Sequence, residues 1–202
     1  NLHRTSVNFM GCYAPIHALK MADTTCRADD AACVMIVCTE LCTLHFQKEY
    51  EMDNIASGLL FGDGAAAVLV TGKNFSARGM IIANFYAEVT LKGKADMAWH
   101  LSGKGFLMTL SAYIPQLIQA GIEPLLKKAL DALLIQKEKI THWAIHPGGR
   151  KILETIQKEL QLGEEDLAYS FHVLRKYGNM SSSTILFVLK EIMQQLSWNG
   201  EE

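Results

Sequence analysis

Residues 32–38, ACVMIVC, run through seven positions without one strongly polar side chain. A strand that shows one face to water alternates apolar with polar residues, so such a run reads as a strand buried on both faces. Residues 65–70, AAAVLV, repeat the pattern after the turn Gly62-Asp63-Gly64. Stretches 80–89 and 143–145 read as further strands, and 6–10 as a short one ended by Gly11. Helical stretches lie between them: 13–22, 54–61, 115–134, 151–162, 166–176 and 181–196. Pro15 fits only the first turn of its helix, where a missing N–H costs little. In 115–134, Ile118, Ile122, Leu125 and Leu126 share a face. Residues 92–104, polar and glycine-containing, read as a loop. Buried strands alternating with helices predict an α/β fold with a mainly parallel sheet. The order elbow, helix, buried strand occurs twice, which predicts two related halves meeting between residues 73 and 104.

Half of the 202 residues are hydrophobic, and the formal net charge is -2. No apolar run approaches the ~18 residues of a membrane span, so the hydrophobic excess points to a buried sheet or a subunit interface. A near-neutral charge argues against nucleic acid, whose binding relies on concentrated Lys and Arg. The five cysteines, Cys12, Cys26, Cys33, Cys38 and Cys42, are odd in number and lie in the first quarter of the chain. That distribution favours a reducing cytoplasm over a disulfide framework. Cys38 and Cys42 have no second Cys/His pair at zinc-site spacing, so no metal is expected. The opening residues NLHRTSVNF lack Met and resemble no signal peptide, which reads as part of a longer protein.

Three residues invite chemistry. Cys12 stands at a strand-to-helix elbow. A cysteine there is ordinarily a small packed residue, yet a helix N-terminus favours thiolate, and a thiolate exchanges readily with a thioester. His146 ends a strand and precedes Pro147-Gly148-Gly149, where two glycines let a long ligand approach the backbone. The bland alternative is a satisfied core or surface histidine. Asn179, in Tyr177-Gly178-Asn179-Met180-Ser181-Ser182, reads as a helix cap. It is also able to donate an amide N–H to a developing oxyanion.

The segments MGCYAPIHALKMA, LLFGDGAAAVLV, WAIHPGG and YGNMSSSTILFVLKEI occur in this order and are spread along nearly the whole chain. Together they resemble the chalcone and stilbene synthase family, the type III polyketide synthases. The resemblance implies a thiolase-like fold of two related halves. Residues 1–90 would be the second part of the N-terminal half, and 91–202 an incomplete C-terminal half. It implies a homodimer that binds no permanent cofactor and takes coenzyme A thioesters, an acyl-CoA starter and malonyl-CoA, as substrates. Cys12, His146 and Asn179 match the family's catalytic set, with a Cys12–His146 ion pair holding the thiolate. The reaction implied is decarboxylative Claisen condensation onto the Cys12-bound starter, ending in a pyrone or phenolic ring.

The resemblance also places Phe61 as the aromatic gate beside the cysteine, Asp63 as a turn residue, and Ser181 in the pocket. Gly148 and Lys151 lie where the coenzyme A arm passes. Met108 replaces the second gate phenylalanine, Cys42 and His45 replace two pocket threonines, and Trp99 lies near a glycine that leaves room for product. Those departures point away from the plant starters and toward a fatty acyl starter, since Met is flexible. Other readings stay open on sequence: an initiating β-ketoacyl carrier-protein synthase, a hydroxymethylglutaryl-CoA-synthase-like enzyme with Glu40 as its acid, or a catalytically silent thiolase-fold scaffold.

Overall fold

The structure, a computed structural model, describes residues 2–48, 50–75, 79–94, 96–103, 105–111 and 113–196. Asn1, Glu49, residues 76–78, Ala95, Lys104, Ala112 and residues 197–202, which fall within segments assigned above, lie outside the described residues.

The two apolar runs become β1 (Cys33–Glu40) and β2 (Gly64–Thr71). They pair antiparallel, with Cys33 opposite Thr71 and Glu40 opposite Gly64. The mainly parallel sheet expected from sequence is therefore not what these strands form. After β1 the chain passes through a 3-10 turn, Cys42–His45, and helix α2 (Met52–Leu60). It then re-enters beside the end it left, which makes the pairing antiparallel. Burial on both faces is corrected as well. Val34, Ile36, Cys38, Ala66, Val68 and Val70 face the core, while Met35, Val37 and Leu69 are 67%, 64% and 57% exposed. An apolar run shows that a strand is able to be buried; it does not show what covers each face.

Residues 97–110, half of them assigned to a loop, form a second antiparallel pair, β3 (Met97–Ser102) and β4 (Gly105–Leu110). The polar, glycine-containing surroundings of β3 hid it, although Trp99-His100-Leu101-Ser102 alternates as a half-exposed strand does. The expected strands 6–10, 80–89 and 143–145 carry no ladder among the described residues. Instead, the Arg27 guanidinium donates to the carbonyls of Ile82 and Ala83 at 3.1 and 3.3 Å.

The helices follow their apolar faces. α1 (Ala14–Ala28) starts with Pro15 in its first turn and lies against β1 and β2. α3 (Ile114–Leu133) packs on α4 (Arg150–Glu159) through Ile118, Ile122 and Leu126, around buried Trp143, Ile156, Leu160 and Leu167. α5 (Ala168–Tyr177) and α6 (Thr184–Gln195) complete the main core. That core joins Ala22, Ile36 and Cys38 to Val173, Met180, Ile185, Leu186, Val188 and Ile192. A fully buried Val, Leu or Ile contributes about 1.5–3 kcal/mol. Residues from both expected halves thus stabilise one another in a shared core.

Candidate active site

Two motifs meet as one backbone joint. The N–H of Asn179 donates to the Leu60 carbonyl at 2.9 Å, and the N–H of Gly62 donates to the Asn179 carbonyl at 3.0 Å. Phe61 and Asn179 thereby form a parallel bridge. Glycine is needed on both sides. A Cβ on Gly62 would lie 2.9 Å from the Tyr177 carbonyl oxygen, and one on Gly178 would lie 3.0 Å from that of Leu60. Gly178 also ends α5 at φ +73°, a conformation that disfavours side chains. Asp63, in the same turn, accepts from the Thr43 N–H at 2.8 Å and its hydroxyl at 2.7 Å. Those bonds hold its carboxyl below the usual range and make it a structural turn residue.

Cys12 stands in a 3-10 turn, Gly11–Tyr13, that runs into α1. Its thiol lies 3.9 Å from Asn179 Oδ1 and 3.7 Å from Ser181 Oγ. Asn179 is fully buried. Its Oδ1 also accepts the Ser181 N–H at 2.9 Å, and its Nδ2 donates to the Gly148 carbonyl at 3.3 Å. That last bond brings in the HPGG segment. A Cβ on Gly148 would lie 3.6 Å from Cδ2 of His146. Both ring nitrogens of His146 are buried with no hydrogen-bond partner. Cys12 and Asn179 are thus in contact, and Asn179 is tied to the backbone two residues after His146.

The charges differ from expectation. Burial lowers the His146 pKa to about 4, so the imidazole is neutral at pH 7. Burial also pushes the Cys12 thiol up; the hydrogen bond with Ser181 opposes this and the Glu40 carboxylate adds to it. Burial of both groups works against the expected Cys12–His146 ion pair and favours a neutral thiol and a neutral imidazole. The partial positive charge of one helix N-terminus does not offset burial.

The residues expected to line a pocket divide into two groups. Phe61 bridges Asn179, and Ser181 touches the Cys12 thiol. His45 and Trp99 pair their rings at 5.1 Å, and Trp99 stands directly opposite Met108 across β3 and β4. Met108 lines a cavity of about 540 Å³ with His100, Leu107, Thr109 and the first turn of α2. Cys42 is half-buried, and burial with the nearby carboxylates of Glu40 and Asp63 raises its thiol to about 11. Gly148 lies against His146, whereas Lys151 is exposed on α4. Glu40, weighed from sequence only as an alternative acid, accepts the Ser182 N–H at 3.2 Å. Thr184, unremarked in the sequence, lies 3.3 Å from Asn179 Oδ1. Its place in the YGNMSSST segment was the available signal. Among the described residues no cluster of three or more His, Cys, Asp or Glu could hold a metal, and no helix is long and apolar enough to cross a membrane.

Residues 1–74 match the N-terminal domain, and residues 85–201 the C-terminal domain, of chalcone and stilbene synthases. A similar protein is the alpha-pyrone synthesis polyketide synthase-like protein of Mycobacterium tuberculosis. It is 31% identical over 199 residues, covering 96% of this chain and 51% of that protein. Among crystal structures, PKS-I from the brown alga Ectocarpus siliculosus is similar at a TM-score of 0.90 and 29% identity, covering 96% of this chain and 52% of that one. The C-terminal type III polyketide synthase domain of Steely1 from Dictyostelium is similar at 0.81 and 28%, covering 96% and 56%. The chain spans about half the length of the relatives it matches.

Proposed function

The chain belongs to the chalcone and stilbene synthase family, and from that premise we propose that it carries the condensing centre of a type III polyketide synthase. The observation that supports this best is the meeting of Cys12 and Asn179. They are 167 positions apart in sequence, their side chains are in contact, and the amide of Asn179 is bonded to the segment bearing His146.

The full-length protein takes an acyl-CoA starter. As the Cys12 sulfur attacks the thioester carbon, its proton passes to neutral His146, and coenzyme A leaves as the thiol after taking that proton. Malonyl-CoA then binds with its thioester oxygen toward Asn179 Nδ2 and the protonated ring nitrogen of His146. Loss of carbon dioxide leaves an enolate held by those two donors. Such a donor is worth about 100- to 1000-fold in rate. The enolate carbon attacks the acyl carbonyl, the Cys12–acyl bond breaks, and a β-ketoacyl-CoA results. A proton drawn from solvent then restores the thiol.

The rest of the reading is coarser. Residues 1–90 and 91–202 are parts of the two halves of a thiolase-like fold. Phe61, Ser181, Cys42, His45, Trp99 and Met108 line the path of the growing chain, and Gly148 and Lys151 lie along the coenzyme A arm. The protein works as a cytoplasmic homodimer without a permanent cofactor, and its product is a pyrone from a fatty acyl starter. The named activity of the mycobacterial relative supports the pyrone.

The test uses the full-length protein. Radiolabelled acyl-CoA is expected to label it, and Cys12→Ala to abolish the label. Mass spectrometry of products from malonyl-CoA and a starter panel is expected to show pyrones from long-chain acyl-CoAs. An unlabelled wild-type protein would sink the condensing role. Use of aromatic starters alone would overturn the fatty acyl assignment.

A further inference from the structure

Thr184 lies inside this arrangement and takes no part in the chemistry above. It is the first residue of α6 and fully buried. Its hydroxyl stands 2.9 Å from the Ser181 carbonyl oxygen and 3.3 Å from Asn179 Oδ1. A hydroxyl carries one hydrogen, so these two acceptors share it. A threonine that merely finishes a helix start needs only the carbonyl three residues back. The contact with Asn179 bears on the chemistry.

Three donors converge on Asn179 Oδ1: the Ser181 N–H, the Thr184 hydroxyl and the Cys12 thiol. Once Cys12 is acylated, the thiol hydrogen is gone and two remain. The amide presents Nδ2 to a substrate only while Oδ1 stays turned into the protein. Ser181, whose carbonyl is the other acceptor, is held at φ +49°, and its hydroxyl touches the thiol. One hydroxyl therefore reaches the Asn179 side chain and the Ser181 backbone, and so both residues that flank Cys12.

We propose that Thr184 is a positioning residue for decarboxylation, keeping Asn179 Oδ1 turned inward through the acyl-enzyme stage so that Nδ2 faces the malonyl thioester oxygen. The role rests on the proposed function. It is tested in the full-length protein with Thr184→Val, which keeps shape and loses the hydroxyl, and Thr184→Ser, which keeps the hydroxyl. Three readouts are taken: acylation of Cys12 by starter acyl-CoA, kcat and KM for malonyl-CoA decarboxylation, and the melting temperature. Thr184→Val is expected to remain acylated while kcat falls about 10- to 100-fold, the scale of a small misplacement at a reacting group. KM should stay within about twofold, and Thr184→Ser should restore kcat to within about threefold. An unchanged kcat in Thr184→Val would overturn the role. So would a parallel loss of acylation, decarboxylation and melting temperature that Ser does not restore, because that is the signature of a packing role. A wild-type protein that is neither acylated nor able to decarboxylate removes the proposed function first, and this role with it.

Discussion

His146 carries the largest consequence of any single side chain. Its ring nitrogens are buried and unpaired, an arrangement that costs free energy in a folded protein and is retained where a substrate supplies the missing partner. Burial also couples it to stability. The native pKa is about 4, whereas an unfolded histidine titrates near ~6.5. Between those values the unfolded chain binds a proton that the native chain refuses. Stability therefore rises with pH across the window and is lost as pH falls from about 6.5 toward 4. Lowering pH from 7 to 5 should cost about 2 kcal/mol from this residue. Urea unfolding of full-length protein at the two pH values measures it, and His146→Gln should remove that share of the difference. An identical pH dependence in the variant would show that His146 charges freely in the native state.

The elements explain why the motifs read as they do. LLFGDG and YGN look like separate turns in sequence, but they form one joint in which backbone meets backbone. Replacing Gly178 forces a Cβ to within 3.0 Å of the Leu60 carbonyl oxygen, at φ +73°. Gly178→Ala is therefore expected to lose about 1–3 kcal/mol and to depress condensation, because Asn179 is the next residue. Gly121, exposed within α3 with nothing near its Cβ position, supplies the opposite sign: Gly121→Ala should gain about 0.5–1 kcal/mol. Thermal melts of both variants decide whether space and backbone conformation, rather than glycine loss itself, set the effect. The same joint shows what was legible beforehand. Cys12, His146 and Asn179 were each ambiguous alone and stood out only through four segments that together resemble one family; of them the structure puts Cys12 and Asn179 in contact. All six helices were readable from composition and their apolar residues. Strand pairing was not, because a partner and a register belong to tertiary structure: 80–89 has strand composition without a ladder, and 97–102 has a ladder although its polar, glycine-containing surroundings read as a loop. The shifts that burial imposes on Cys12 and His146 were equally hidden, since only the folded site buries them. So was Thr184, whose hydroxyl has partners only once α6 is docked.

At the scale of the whole molecule, the surface is too large for the mass. The chain exposes 14204 Å², against about 9,400 Å² for a compact monomer of 22.4 kDa. The excess, roughly 4,800 Å², is about six times what one partner contributes to an ordinary interface. A single dimer contact does not cover that much. Met35, Val37 and Leu69 on the outer face of the first sheet, together with Leu59 and Ile81, show that part of the excess is apolar. Polypeptide equal to the remaining half of the relatives' length is of the right order to cover it. Residues 1–202 expressed alone should therefore bind a hydrophobic dye such as ANS and elute as a soluble aggregate, because exposed apolar faces and unpaired strand edges recruit one another. The full-length protein should bind little dye and elute as a discrete species. A monodisperse isolated chain without dye binding would mean that these 202 residues rearrange to bury the outer face of β1 and β2 by themselves. In that case the shared core joining α1, β1 and α6 would not be the arrangement adopted in solution by the isolated chain.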